Sequence, residues 1–155
     1  MFTAMLLSAA LFTPSAEPAP KVLASVQGRL VGDRTNNLGI YLTAEELKKA
    51  GGDEKKIAEQ LKVDSLDFKK HTLIVLGVGP KPTGGYKVEV TSLEVKDDVL
   101  TIKWKADPPK GFVTQAFTNP AVTLLIDKFA GKIVFDPAPP KAANNDLKRP
   151  DVIRE

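Results

Sequence analysis

The chain has 155 residues, of which 43% are hydrophobic and 26% charged, which is enough for the core of one ordinary domain. It contains no cysteine, which excludes disulfides and thiolate chemistry, and its single histidine, His71, cannot form a histidine metal site alone. The net charge of +3 comes from scattered lysines and not from a long basic run, so we expect no nucleic-acid partner. We also expect no metal and no cofactor.

Residues 1–20 have the features of an export signal followed by a spacer. The apolar stretch 4–12 has the length of a signal-peptide core and is too short to span a bilayer. No Lys or Arg precedes it, which departs from the usual signal pattern, and a disordered start is the alternative. We expect an exported protein (periplasm, cell surface or extracellular) whose mature form begins within 15–21 and does not stay inserted in a membrane.

A single domain is predicted over residues 21–136, and its first half combines strands with short helices. Segments 22–30 and 40–42 have strand patterns. Thr43 and Glu46 match a capping box that begins a helix, and the Gly51-Gly52 pair ends it. Asp53 is positioned to cap a second helix with one apolar face, formed by residues Ile57, Ala58 and Leu61.

Strands are predicted along the second half of the domain. Residues 71–78 include four consecutive aliphatic residues, which predicts a strand buried on both faces. The pattern then alternates, with a bulge at Thr91-Ser92 and a tight turn at Asp97-Asp98. The alternating segments are 86–95, 100–106, 122–126 and 133–135. The predicted fold class is α+β, an antiparallel sheet of about five strands with the short helices on one side.

The proline-rich residues 137–155 contain few apolar side chains and are predicted to form a flexible tail. Residues 111–120 have no clear period, and they connect two predicted strands.

The segment GVGPKPTGGYKVEV, residues 77–90, is the most distinctive in the chain. Its glycine spacing is that of a phosphate-binding loop, but Gly85 and Tyr86 occupy the lysine and hydroxyl positions and a strand follows, which excludes phosphate binding. Pro80 and Pro82 stiffen the segment. It is therefore either a rigid hairpin connection or a tip that recognises a protein, since a stiff loop loses little entropy on binding.

The order of these motifs resembles the PrcB-type family. LIVLGVG precedes PTGGYKVEV, and VTQAFTNPAVTLLI follows before the last strand, over roughly residues 40–135. One departure is Ala121, where an aromatic residue often follows the proline. The family is named for a subunit that associates with and stabilises a bacterial surface protease. The resemblance implies an exported, non-enzymatic protein-binding module with a protein partner, a protease being the candidate.

The candidate partner-binding residues come from the loop and from the later family segment. They are Lys81, Pro82, Thr83, Gly84, Gly85, Tyr86, Thr114 and Gln115. We expect Lys81 and Thr83 to be exposed. The Tyr86 ring should be partly buried, because it shares the alternation phase of Val88.

Two other functions compete with this one. PTGGY is also similar to the P-T-T-G-Y loop of chagasin-type cysteine-protease inhibitors, although a second glycine-rich loop and an R-P-x-W-like loop are missing and the helices fit that β-sandwich poorly. An enzyme would need His71 as a base beside a nucleophile, and the chain has no nucleophile elbow. We therefore expect no enzyme, and a chagasin-like inhibitor presenting the PTGGY loop is the alternative.

Overall fold

A computed structural model describes residues 18–32 and 38–140 of the chain. Residues 1–17 of the predicted export signal, 33–37 and 141–155 of the predicted tail lie outside the described residues. In the described part the chain forms seven strands and two helices. In chain order these are β1 (Val22–Gln27), β2 (Leu38–Tyr41), α1 (Ala44–Lys49), α2 (Glu54–Leu61), β3 (His71–Gly77), β4 (Lys87–Lys96), β5 (Val99–Asp107), β6 (Ala121–Asp127) and β7 (Lys132–Asp136).

The strands form two sheets instead of the single sheet predicted. One sheet has the order β1-β6-β3-β2 and is antiparallel throughout. The other has the order β4-β5-β7, in which β7 pairs with β5 in parallel. The prediction of one antiparallel sheet of about five strands was therefore wrong, while the two short helices lie on one side, as expected. The physical reason is that β3 and β6 are apolar on both faces, so they need cover on two sides.

Alternate residues of β3 and β6 supply two separate cores. The inner core joins the two sheets, and the outer core joins the four-stranded sheet to the helices. Inner-core residues of β3 and β6 are Ile74, Leu76, Val122, Leu124 and Ile126, which share a cluster with Val88, Leu100, Ile102 and Trp104 of the three-stranded sheet. Outer-core residues are Leu73, Val75 and Leu125, with Val31, Leu47, Ile57 and Leu61. The layers are thus helices, four-stranded sheet and three-stranded sheet.

Both predicted helix starts are confirmed. The Thr43 hydroxyl accepts from the Glu46 N–H at 3.2 Å, and the Glu46 carboxylate accepts from the Leu42 N–H at 2.8 Å, one residue earlier than the usual capping box. At α2 the Asp53 carboxylate accepts the Lys55 N–H at 3.0 Å. In the described part of the chain, no helix is both long and apolar enough to cross a membrane.

The details predicted for the β4–β5 hairpin are also confirmed. The register shifts between Val90 and Ser92, so Thr91 is the extra residue of a bulge. Asp97 and Asp98 both adopt positive φ, at 51° and 57°, as a two-residue turn between twisted strands requires.

Two side chains connect parts of the fold that are distant in sequence. Gln27, at the end of β1, donates from Nε2 to the Val88 carbonyl at 2.6 Å and accepts the Val88 N–H on Oε1 at 3.1 Å. It thereby joins an edge strand of each sheet. Trp104 is a core residue, as its phase predicted, and its Nε1 donates to the Pro137 carbonyl at 2.7 Å.

Thr72 in β3 is the basis of a stability prediction. It is fully buried, and its hydroxyl has no hydrogen-bond partner among residues 18–32 and 38–140. We expect Thr72→Val to raise the free energy of unfolding by about 1 kcal/mol, because valine keeps the shape and removes an unsatisfied polar group.

Thr123 provides the matched control, because it is equally buried but its hydroxyl donates to Gly28 and accepts from the Leu30 N–H. Thr123→Val should lower the free energy of unfolding by about 1–2 kcal/mol. Urea titrations measure both changes, and a loss of stability in the Thr72 variant would contradict the unsatisfied hydroxyl.

Candidate functional site

The glycine- and proline-rich segment carries the chain from one sheet to the other. We call residues 78–86 the crossover loop, because β3 belongs to the four-stranded sheet and β4 to the three-stranded sheet. Of the two alternatives predicted for this segment, the hairpin connection is therefore wrong. Pro80 and Pro82 have no backbone N–H with which to continue the hydrogen bonding of a sheet. β4 has one exposed face and β3 has none, so the two strands belong in different sheets.

A second segment, residues 108–120, leads from β5 back to the four-stranded sheet, and we call it the connection. Lys81 and Thr118 exchange both backbone hydrogen bonds, at 2.7 and 2.9 Å. The Gly84 N–H donates to the Thr114 carbonyl at 3.0 Å, and the Thr118 hydroxyl donates to the Thr83 carbonyl at 2.8 Å. The crossover loop and the connection therefore form one hydrogen-bonded unit.

The two adjacent glycines of the loop have different roles. Gly85 has a φ of +85°, and a Cβ placed there would lie 2.8 Å from the Pro109 Cβ. Gly84 has space for a Cβ, whose nearest neighbours, on Thr114 and Thr118, would be 3.8 Å away. Only Gly85 requires glycine, both for its backbone conformation and for close contact with the connection.

The remaining predicted site residues lie on the same unit with different exposure. Tyr86 is half-buried, as predicted, and Lys81 Nζ lies 5.6 Å from the centre of its ring, a cation–π distance. Lys81 and Thr83, which were expected to be exposed, are half-buried because their backbones pair with Thr118. Pro82 and Gly85 on the loop, and Thr114 and Gln115 on the connection, are exposed.

The two most exposed aromatic residues in the described part of the chain were not among the predicted site residues. Phe112 is fully exposed and Phe117 is 86% exposed. Both belong to the connection, on either side of Thr114 and Gln115. The signal that was available is their position in a segment of Pro, Gly, Thr and Asn without strand or helix period, where an aromatic residue has no predicted core to enter.

A groove of about 870 Å³ lies between Gly84–Gly85, the start of the connection and the outer face of the three-stranded sheet. On that face Lys87 lies opposite Asp107, and Glu89 opposite Lys105. The other lining residues are Pro108, Pro109, Lys110, Phe112, Val113 and Thr114. The groove thus combines charged strand residues with an apolar wall.

Lys105 contacts both carboxylates of this groove. Its Nζ lies 2.8 Å from Asp107 and 3.3 Å from Glu89. Hydrogen bonds to Asp107 and then to Glu89 raise the pKa of Lys105, so it remains a cation at physiological pH. Among the residues described, no three His, Cys, Asp or Glu side chains are grouped to hold a metal.

Residues 72–127 match the family model described as PrcB C-terminal. This stretch is assigned to the PrcB C-terminal family. It extends from β3 to β6 and includes the crossover loop, both strands under the groove and the connection. The match is narrower than the resemblance expected over residues 40–135, since it omits the helices and β7.

One curated protein is similar in sequence to part of this chain. It is the uncharacterized protein MJ1373 of Methanocaldococcus jannaschii, 30% identical over 56 residues, which are 36% of this chain and 35% of the relative. The similarity thus spans about a third of that relative's length. No solved structure matches the chain.

The contrast between the two glycines predicts unequal effects of alanine. Gly85→Ala should lower the free energy of unfolding by about 2 kcal/mol, because it forces a Cβ into a left-handed conformation and against Pro109. Gly84→Ala should change it by less than about 0.5 kcal/mol. Thermal or urea unfolding measures both, and equal effects would contradict the local geometry.

Proposed function

We propose that this chain is an exported, non-enzymatic protein-binding module that associates with a protease and stabilises it. The family match of residues 72–127 suggests a protease-complex-associated module. The partner-binding surface in this proposal is the hydrogen-bonded unit of crossover loop and connection. The observation that carries it is the exposure of Phe112 and Phe117 on a segment whose backbone is fixed by Lys81 and Gly84.

Exposed phenylalanines on a fixed backbone suit protein binding for two reasons. Burying one such side chain contributes about 1.5–3 kcal/mol, and aromatic residues are prominent among the residues that dominate interfaces. Because the connection is already hydrogen-bonded at Thr114 and Thr118, little conformational entropy remains to be lost on association.

The same contacts favour a stabilising subunit over a chagasin-like inhibitor. In the PTGGY segment the Thr83 carbonyl and the Gly84 N–H are bonded to the connection. An inhibitor that inserts this loop into an active site could not offer those two groups to the protease while they remain bonded to the connection. Pro82 and Gly85 of the loop are exposed, but the large exposed apolar side chains, Phe112 and Phe117, lie on the connection.

A pull-down from the exported fraction of the native organism tests this proposal. We expect the mature chain, beginning within residues 15–21, to be recovered in that fraction together with a protease. The double variant Phe112→Ser, Phe117→Ser should capture it roughly tenfold less or worse, since two anchor side chains are lost. Leu23→Ser with Leu42→Ser is the matched control, because these side chains are also exposed but lie on other elements.

The activity of the recovered protease decides between the two roles. A stabilising subunit lengthens the lifetime of active protease, whereas an inhibitor lowers its activity when added in excess. If the wild type and the folded phenylalanine variant capture the protease equally, the assigned surface is contradicted. Absence of the chain from the exported fraction would contradict export.

A further inference from the structure

We propose that the groove beside Phe112 binds an acidic, extended segment of the partner that also carries apolar side chains. This inference rests on the proposed function and adds the chemistry of the partner. It depends on which charges of the groove are available and which are already paired.

The carboxylates of the groove already have a cationic partner within the chain. Glu89 and Asp107 both contact Lys105, at 3.3 and 2.8 Å. A basic partner segment would compete with Lys105 for these carboxylates, whereas an acidic segment would meet lysines that have no such partner.

Two lysines of the groove are available. Lys87 lies directly opposite Asp107 in the strand register, but the Asp107 carboxylate contacts Lys105 instead. Lys110, on the connection, also lines the groove and is exposed. Neither lysine forms an ion pair within residues 18–32 and 38–140. With Lys105 included, three lysines face two carboxylates, so the groove carries a net positive charge.

The same groove is also lined by apolar residues. They are Pro109, Phe112 and Val113, and Gly85 lies beside Pro109 and Val113. A ligand that fills the groove therefore meets lysines and apolar side chains together. An extended segment that combines Asp or Glu with aromatic or aliphatic residues satisfies both requirements, since complementary charges then fix its register.

Selection from a random peptide library displayed on phage, with the full chain as bait, tests this chemistry. We expect the enriched peptides to combine acidic and apolar residues. Against the variant Lys87→Glu, Lys110→Glu, the same library should lose this acidic enrichment. A library that yields basic peptides, or no enrichment over bait-free selection, would overturn the proposal.

Fluorescence polarisation with the most enriched peptide, labelled with fluorescein, provides the quantitative test. The charge-reversed variant should bind it roughly three- to thirtyfold more weakly, as expected for the loss and reversal of two exposed ion pairs, and salt should weaken wild-type binding. The matched control is Lys55→Glu, Lys56→Glu, which makes the same charge change at the start of α2, outside the groove, and should bind like the wild type. Equal binding by the two charge variants would overturn the proposal.

Natural partner capture separates this inference from the function on which it rests. Loss of capture in the phenylalanine variant but not in the charge-reversed variant would leave the protein-binding function standing and overturn the acidic ligand. Unchanged capture in both would overturn both. A dimer in sedimentation that the charge reversal dissociates would assign the groove to a second copy of the chain, and would also overturn the proposal.

Discussion

The burial of β3 and β6 on both faces is the constraint on which the rest of the structure depends. These two strands contribute residues to the inner core through Ile74 and Leu124 and to the outer core through Leu73 and Leu125. One apolar face needs the helices and the other needs a second sheet. The chain must therefore leave the four-stranded sheet after β3, build β4 and β5 opposite it, and return to form β6 beside β3.

The candidate site follows from this route. The chain passes between the two sheets twice, through the crossover loop and through the connection. These two segments are hydrogen-bonded to each other through Lys81 and Thr118. Gln27 of β1 is hydrogen-bonded to Val88 of β4 and so joins the edges of the two sheets. Val88 lies in β4, the strand whose other face lines the groove. The connection that carries the exposed phenylalanines is thus held in place by hydrogen bonds to the crossover loop, which is the arrangement that a precise binding surface requires.

Sequence reasoning recovered what is determined locally. The caps at Thr43 and Asp53, the bulge at Thr91 and the turn at Asp97-Asp98 depend on neighbouring residues, and all four were predicted. The assignment of strands to sheets depends on contacts between distant residues, and it failed. The sequence signal against a single sheet was that β3 has no polar face. A sheet with one face exposed to solvent could not bury both faces of this strand. The exposure of Phe112 had only an indirect signal, the absence of a strand or helix period in residues 111–120, and it was missed.

The central claim is that the crossover loop and the connection form one ordered unit before any partner binds. Amide hydrogen exchange of the free, full chain measured by NMR tests this most directly, because exchange reports local opening residue by residue. The account predicts strong protection of the bonded Lys81, Gly84 and Thr118 amides, approaching that of β3, and much weaker protection at the exposed Phe112 and Gln115. Exchange of Lys81, Gly84 and Thr118 at the rate of an unfolded chain would contradict it.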